Sequence, residues 1–239
     1  MDVLVLWDVD HTLIENGGVS KKTYAGAFEI LTGRPAEHFA RTGGRTDPEI
    51  LDDLLADHGV DPASFSDVVK QDAMARSLIG LRRQLADRGR ALSGARGALD
   101  ALARVPGIVQ SVLTGNLRAN AIVKLGTFGL DTWLDWDCGG FGFDAPRRPD
   151  LVAIAQACAA AKHDVVFDAS NTVLIGDTLN DVHAGMRGGA QVVAVLTGGV
   201  EAAALTAAGA STVLPDLTDA VAVVGAVLGA VRFSVVDGS

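Results

Sequence analysis

Short apolar segments alternate with helix-like segments along most of the chain, and this alternation limits the possible folds more than any other feature. The strand-like segments are Val3–Val9, Ile108–Leu113, Thr172–Ile175, Gln191–Leu196 and Thr212–Leu214. The helix-like segments between them are Ala95–Ala103, Leu117–Leu125, Asp150–Ala161 and Asn180–Arg187. Alternation of this kind predicts an α/β protein whose parallel sheet is covered by helices on both faces.

A long polar, helix-prone stretch separates the first strand from the second. Its apolar residues fall at helical spacing, and nothing in it alternates convincingly like a strand. The stretch is too long for an ordinary loop, so we expect a helical cap above the carboxyl edge of the sheet. The predicted domains are residues 1–16 and 90–239 for the α/β core and 17–89 for the cap, and Phe233–Ser239 is predicted to be a loosely held end.

Composition excludes several classes of partner. The 239 residues are 49% hydrophobic, which is enough for a sizeable core, and the net charge of −9 argues against nucleic acid or an anionic membrane as the main partner. No apolar run reaches the length of a membrane span. Cys138 and Cys158 show no metal-ligand spacing and are interpreted as free thiols. We expect a soluble cytoplasmic protein.

The first strand ends in two aspartates, Asp8 and Asp10, followed by Thr12. Residues at i and i+2 of a strand share a face, and a strand end is where an α/β sheet places its chemistry. Two carboxylates this close repel each other unless a cation or a shared proton intervenes. The pattern predicts a divalent-metal site with one carboxylate free as a nucleophile. The alternative is that one aspartate caps a helix and the other lies in a solvated turn.

Two later strand ends carry a similar pattern. Thr114-Gly115-Asn116 combines a hydroxyl, a glycine and the start of a helix, which suits a phosphate cradle; a plain helix N-cap is the alternative. After the strand at Thr172, Asp177 is placed to bind a hard cation, and Asp181 follows in the first turn of a helix. For Asp181 alone, a favourable charge at a helix start is an equal alternative.

Together these motifs resemble the haloacid dehalogenase (HAD) superfamily. D-x-D-x-T-L after an apolar strand and G-D-T-x-x-D far downstream carry the resemblance, which covers nearly the whole chain and is closest to phosphoglycolate-phosphatase-like phosphatases with a helical cap. It implies a Rossmann-like three-layer core with an inserted cap. Asp10 favours phosphoryl transfer over dehalogenation, because cleavage of a carbon–halogen bond needs no general acid.

The resemblance also implies the role of each residue. Asp8 would be the nucleophile that forms an aspartyl-phosphate, and Asp10 the general acid and base. Mg²⁺ would be held by Asp8, the backbone carbonyl of Asp10, and Asp177, with Thr12 and Asp181 in support. Thr114, Gly115 and Asn116 would bind the phosphoryl oxygens.

The chain departs from the family pattern where a lysine normally precedes a proline. Arg148, before Pro149, best matches that position, and Arg147 is the weaker match; an arginine keeps the charge and can bind phosphate through two nitrogens. Lys124 is interpreted as a solvated helix lysine. His11 is interpreted as an exposed loop histidine.

In the cap, Gly43-Gly44-Arg45-Thr46-Asp47 resembles a specificity loop. Arg45 and Thr46 are therefore predicted to contact substrate. An inter-helix turn with Thr46 or Asp47 as the helix N-cap is at least as good an interpretation.

These observations predict a Mg²⁺-dependent phosphatase acting on a small phosphorylated metabolite. A sugar phosphomutase similar to β-phosphoglucomutase is one alternative, and a weakly active phosphate-binding homologue is another. A phospho-acceptor signalling module fits poorly, because such domains are about half this length and lack the insert.

Overall fold

The strands of the chain form one large and one small sheet. The computed structural model describes residues 2–234, with side chains as far as Val231. The strands are β1 Val3–Trp7, β2 Ile14–Glu15, β3 Arg90–Ala91, β4 Ile108–Val112, β5 Thr172–Gly176, β6 Gln191–Val195 and β7 Thr212–Leu214. Five of them form a sheet in the order β4–β1–β5–β6–β7 with every pair parallel, which confirms the predicted fold class.

Helices cover both faces of this sheet. They are α1 Val19–Thr32, α2 Asp47–Asp57, α3 Asp67–Arg88, α4 Ala95–Ala103, α5 Arg118–Thr127, α6 Asp150–His163, α7 Leu179–Gly188, α8 Ala202–Ala208 and α9 Ala220–Ser234. Among the described residues, no helix has both the length and the apolar character that a membrane span requires.

The central strand β1 explains the three-layer arrangement. All five of its residues are buried, and successive side chains point to opposite faces. Val5 and Trp7 pack with α4 and α9, whereas Leu4 and Leu6 pack with α6 and α7. Each such buried side chain contributes about 1.5–3 kcal/mol. A strand that is buried on both faces consists of apolar residues throughout. Asp8, the residue directly after β1, is polar and lies at the carboxyl edge of the sheet.

The insert between β2 and β3 contains α1, α2 and α3. Phe28, Leu51, Leu54 and Met74 belong to its own apolar core. The antiparallel pair β2–β3, which the sequence did not predict, joins the two connections of the insert. The domain boundaries after residues 16 and 89 lie beside this pair and stay a prediction.

The ends of several elements differ from the predictions. The first strand ends at Trp7 rather than Val9, because the chain turns back and the amides of Leu13 and Ile14 donate to Val9 O. Helices α5 and α6 each extend two residues further than predicted. Helix α9 reaches Ser234, two residues into the segment predicted to be loosely held, and residues 235–239 lie outside the described residues.

Candidate active site

Most of the residues singled out in the sequence meet in one cleft, between the carboxyl edge of the sheet and the inserted helices. Its volume is about 240 Å³. The predicted residues that line it are Asp8, Asp10, Arg45, Thr114, Gly115, Asn116, Arg148 and Asp177. Thr12, Thr46 and Asp181 are buried behind this lining. Distant strand ends therefore converge, as expected at the carboxyl edge of a parallel sheet.

Three buried carboxylates lie together at one wall of the cleft, two of them in its lining and the third behind it. Asp8 follows β1, Asp177 follows β5 and Asp181 lies in α7, and one oxygen of each lies within 4.8 Å of the others. Thr12 Oγ1 donates to Asp177 Oδ1 at 2.9 Å and orients that carboxylate. Thr178 and Asp181 also form a capping box at the start of α7. Asp181 therefore stabilises the first turn of this helix and also belongs to the carboxylate cluster.

The charges in this cluster are poorly compensated. Burial, followed by the Asp181 carboxylate, raises the pKa of Asp8 well above its usual value. The same two causes raise the pKa of Asp177 to about 7. A proton or a cation relieves the charge repulsion between crowded, buried carboxylates. Three carboxylate oxygens are ligands that suit a hard divalent cation. These residues fit such an ion. The carboxylate of Asp10 lies outside the cluster, and a metal contact through its backbone carbonyl stays a prediction.

Arg148 binds the same cluster from another side. Its Nη2 donates to Asp8 Oδ1 at 2.7 Å and to Asp181 Oδ1, and its Nη1 donates to Gly44 O at 2.8 Å. Its Nε is buried and has no hydrogen-bond partner among the described residues. Arg147, by contrast, is exposed and pairs with Asp150. Arg148 is therefore the arginine at the site, and three of its five N–H donors are engaged in these contacts.

The interpretation of Lys124 as a solvated lysine is wrong. Its side chain is only 4% exposed, and its Nζ donates to Asp10 Oδ2 at 2.6 Å, Ser20 Oγ at 2.9 Å and Asn116 Oδ1 at 2.5 Å. The signal for this was present in the sequence. Ala121 and Leu125 mark the buried face of α5, and helical geometry places residue 124 at the edge of that face.

Asp10 lies in a different environment from Asp8. Asn16 Nδ2 donates to its Oδ1 at 2.8 Å, and Asn116 Nδ2 donates to its Oδ2 at 2.9 Å. Although burial raises the pKa of Asp10, Lys124 and the two amides outweigh that effect and lower it. The pKa values of the two aspartates of the first motif are thus shifted in opposite directions, a separation typical of groups with different catalytic roles.

The loop after β4 connects the phosphate-type motif to the cap. Thr114 Oγ1 accepts hydrogen bonds from Asn116 N at 3.2 Å and Asn116 Nδ2 at 2.7 Å. The N-cap of α5 is Leu117, so neither Thr114 nor Asn116 has the plain capping role that was the alternative. A Cβ on Gly115 would lie 2.1 Å from Arg45 O, so glycine here permits the close approach of the cap loop.

The two predicted cap residues have different environments. Thr46 is the N-cap of α2, bonded to Glu49, and does not line the cleft, which matches the alternative interpretation. Arg45 lines the cleft, and its Nη1 lies 2.8 Å from Asp53 Oδ2.

The place of Asp47 in the cleft was not predicted from the sequence, which offered this residue only as a helix N-cap. This residue is 2% exposed and lines the cleft. Its Oδ1 accepts from Tyr24 Oη at 2.6 Å, and its Oδ2 accepts from Leu117 N at 2.7 Å. Asp47 N donates to Gly115 O at 2.7 Å. Asp47 therefore joins the cap to the core loop and also presents a carboxylate to the cleft.

Other predicted side chains are found outside the catalytic cluster. The His11 side chain is 47% exposed and bonded to Glu15, as expected of a loop histidine, although it borders the cleft. Cys138 and Cys158 are free thiols, as predicted.

The surroundings of Cys138 correct the sequence interpretation in one respect. Asp135 and His163 lie close to Cys138, in an arrangement of metal-type ligands that spacing did not reveal. Lys162 Nζ is 2.7 Å from Asp135 Oδ1, and this cation offsets the charge that would attract a metal.

The chain belongs to the haloacid dehalogenase-like hydrolase family, whose model matches residues 5–186. It is therefore an enzyme of the hydrolase class, as predicted. No curated protein matches the sequence.

Solved structures share its fold. A hydrolase from Pseudomonas syringae is 21% identical, with 94% of this chain and 98% of that chain covered and a TM-score of 0.65. CbbY from Rhodobacter sphaeroides in complex with phosphate is 20% identical, with 92% and 96% covered and a TM-score of 0.66. A putative β-phosphoglucomutase from Bacteroides vulgatus is 16% identical, with 97% and 91% covered and a TM-score of 0.64.

Proposed function

We propose that this hydrolase is a Mg²⁺-dependent phosphatase that cleaves a small phosphomonoester through an aspartyl-phosphate on Asp8. The observation that carries the proposal is the pairing of a buried Asp8, beside two carboxylates and Arg148, with a second aspartate that Lys124 holds separately. A carboxylate attacks a phosphate dianion only where positive charge offsets their repulsion. Arg148 lines the cleft and supplies part of that charge.

The hydrogen bond between Arg148 and Asp8 supports a choice of attacking oxygen. Arg148 Nη2 donates a hydrogen bond to Asp8 Oδ1. We therefore propose that the other oxygen of Asp8, Oδ2, attacks the phosphorus atom. The phosphoryl oxygens would then lie near Thr114 and the amides of the loop that follows it. Asp8, Asp177 and the backbone carbonyl of Asp10 would hold Mg²⁺, with Asp181 in support, and the ion would supply positive charge to offset that of the phosphoryl group.

Asp10 would move the proton. It would donate to the leaving alcohol oxygen in the first step and accept a proton from the hydrolytic water in the second. The free protein holds Asp10 as an anion, whereas the negative charge of a bound phosphomonoester raises its pKa by like-charge repulsion. Substrate binding thus supplies the condition under which Asp10 carries a proton.

A phosphomonoester panel tests the proposal. With Mg²⁺ present, we expect release of inorganic phosphate, which a chelator abolishes and readdition of Mg²⁺ restores. Asp8→Asn keeps the size of the side chain but removes the nucleophile, and we expect it to lose measurable turnover. Undiminished activity in Asp8→Asn would refute the nucleophile assignment.

The same assay separates the alternatives. Conversion of a hexose 1-phosphate to its isomer without free phosphate would identify a phosphomutase. A protein that releases phosphate only after Arg148→Lys would be a weakly active homologue. A cytoplasmic location and a small-metabolite substrate remain part of this proposal.

A further inference from the structure

The half of the cleft that would receive the leaving group is lined by polar side chains of both core and cap. Asp10 marks this half, because the proposed general acid must lie beside the leaving oxygen. Asn16, Ser20, Tyr24 and Asp47 line the cleft with it. Of these, Asp47 brings negative charge, the charge of Asp10 is paired with that of Lys124, and the others are neutral.

Asp47 remains an acceptor for a ligand despite its existing partners. Tyr24 Oη and Leu117 N each use one lone pair, one on each oxygen. A carboxylate has about four acceptor positions, so each oxygen can accept one further hydrogen bond. A hydroxyl group of a leaving alcohol is a donor that fits these positions and needs no counter-charge.

The cations around this half are already engaged. Lys124 is shared by Asp10, Ser20 and Asn116. Arg45 is paired with Asp53, and Arg148 with Asp8 and Asp181. Among the described lining residues, therefore, no lysine or arginine is left without a carboxylate partner to bind a second acidic group on the substrate.

We propose that the substrate is the phosphate ester of a small, uncharged, hydroxyl-bearing alcohol, recognised through Asp47, and that esters of hydroxy acids are disfavoured. This rests on the proposed phosphatase function. A leaving group with a carboxylate would face the Asp47 carboxylate with no free cation, and like charges that close repel. The volume of about 240 Å³ is below the range of about 300–1,000 Å³ typical of drug-sized ligands, so a nucleotide is disfavoured.

Two esters on the same two-carbon frame test this charge preference. 2-Hydroxyethyl phosphate has a neutral leaving group and phosphoglycolate an anionic one. We expect kcat/KM for the neutral ester to exceed that for phosphoglycolate by about tenfold or more, which corresponds to about 1.4 kcal/mol. Equal values, or a preference for phosphoglycolate, would overturn the inference.

Variants locate the source of the preference. Asp47→Asn removes the charge at nearly constant size. We expect it to lower the ratio of kcat/KM for 2-hydroxyethyl phosphate to kcat/KM for phosphoglycolate to below about threefold, or about 0.65 kcal/mol. Asp53→Asn releases Arg45, and we expect it to improve kcat/KM for phosphoglycolate. Asp57→Asn, on the same helix but outside the cleft, is the matched control and should leave the ratio unchanged. An unchanged ratio in Asp47→Asn would contradict the role of Asp47.

The outcomes distinguish the two proposals. If neither these esters nor the broad panel release phosphate, the phosphatase function fails and the inference fails with it. If esters are hydrolysed but charge on the leaving group has no effect, only the inference fails. The ratio in the unmodified protein is informative even if Asp47→Asn does not fold.

Discussion

Lys124 and Asp10 form the residue pair that most changes the chemistry expected from the first motif. They lie 114 positions apart and meet at 2.6 Å in a part-buried setting. An ammonium in this position both orients a carboxylate and stabilises its charged form. We therefore assign Lys124 a positioning role for Asp10 rather than direct contact with substrate.

Replacing Lys124 tests that role. Lys124→Met keeps the length of the side chain but removes the charge, so the pKa of Asp10 should rise and its orientation should loosen. We expect kcat to fall by about 10²-fold, within the range attributed to general acid–base catalysis. The basic limb of the pH profile of kcat, which reports loss of the Asp10 proton, should move to higher pH.

The control for this variant is Lys162→Met on α6, where the lysine pairs with Asp135 and Asp137 away from the cleft. It should leave kcat and the pH profile unchanged. A Lys124→Met enzyme with normal kcat and an unshifted profile would contradict the positioning role.

The raised pKa of Asp177 predicts how stability depends on pH in the metal-free protein. Burial and Asp181 raise it from 3.8 to about 7, so the folded chain binds this proton more tightly than the unfolded chain. The contribution to stability is therefore complete below about pH 4 and is lost as the pH rises through about 7. We expect Tm to fall over this range in thermal unfolding without metal.

Two comparisons make this prediction specific. Asp177→Asn should show a smaller fall in Tm, and saturating Mg²⁺ should reduce the fall in the unmodified protein, because a cation can replace the proton. A metal-free Tm that falls as steeply in Asp177→Asn would exclude Asp177 as the source.

At the scale of elements, the loop after β4 and the start of α2 act as one contact between core and cap. Asp47 N donates to Gly115 O and Leu117 N donates to Asp47 Oδ2, both at 2.7 Å. Gly115 has no room for a Cβ, which would lie 2.1 Å from Arg45 O. The position of the cap residues in the cleft therefore depends on this glycine.

Gly115→Ala should displace the cap loop. We expect an unfolding free energy lower by about 1–3 kcal/mol, as for other overpacked sites, and a raised KM, measured by urea denaturation and steady-state kinetics. Gly97→Ala in α4 is the control, because a Cβ there meets nothing within 4 Å. An unchanged KM in Gly115→Ala would show that the contact does not shape the substrate site.

The sequence predicted elements well where local pattern determines them. Helix α4 and strand β7 have the predicted bounds, because hydrophobic periodicity and flanking glycines are local signals. The two-residue strands β2 and β3 were missed, since such short pairing leaves no periodicity. The burial of Lys124 was missed because its partner Asp10 lies on a distant strand end, and burial of a lysine depends on that partner.

For the whole molecule, the sheet order β4–β1–β5–β6–β7 brings Asp8, Thr114 and Asp177 to one edge from three strands. Alternation predicted the parallel sheet, and the position of polar residues after each strand predicted their convergence. The partners of these residues were less predictable. Arg148 was chosen by its position before a proline, whereas Asp47 required the placement of the cap against the core.

The central claim is that Asp8 carries the phosphoryl group during turnover. p-Nitrophenyl phosphate is a suitable probe, because its leaving group needs little protonation and so forms the intermediate even without Asp10. Acid-quenched Asp10→Asn with this ester and Mg²⁺ can be digested and examined by mass spectrometry. We predict one phosphoryl group on Asp8, and none when Asp8→Asn is added. A phosphoryl group on another residue, or turnover that persists in Asp8→Asn, would contradict the account.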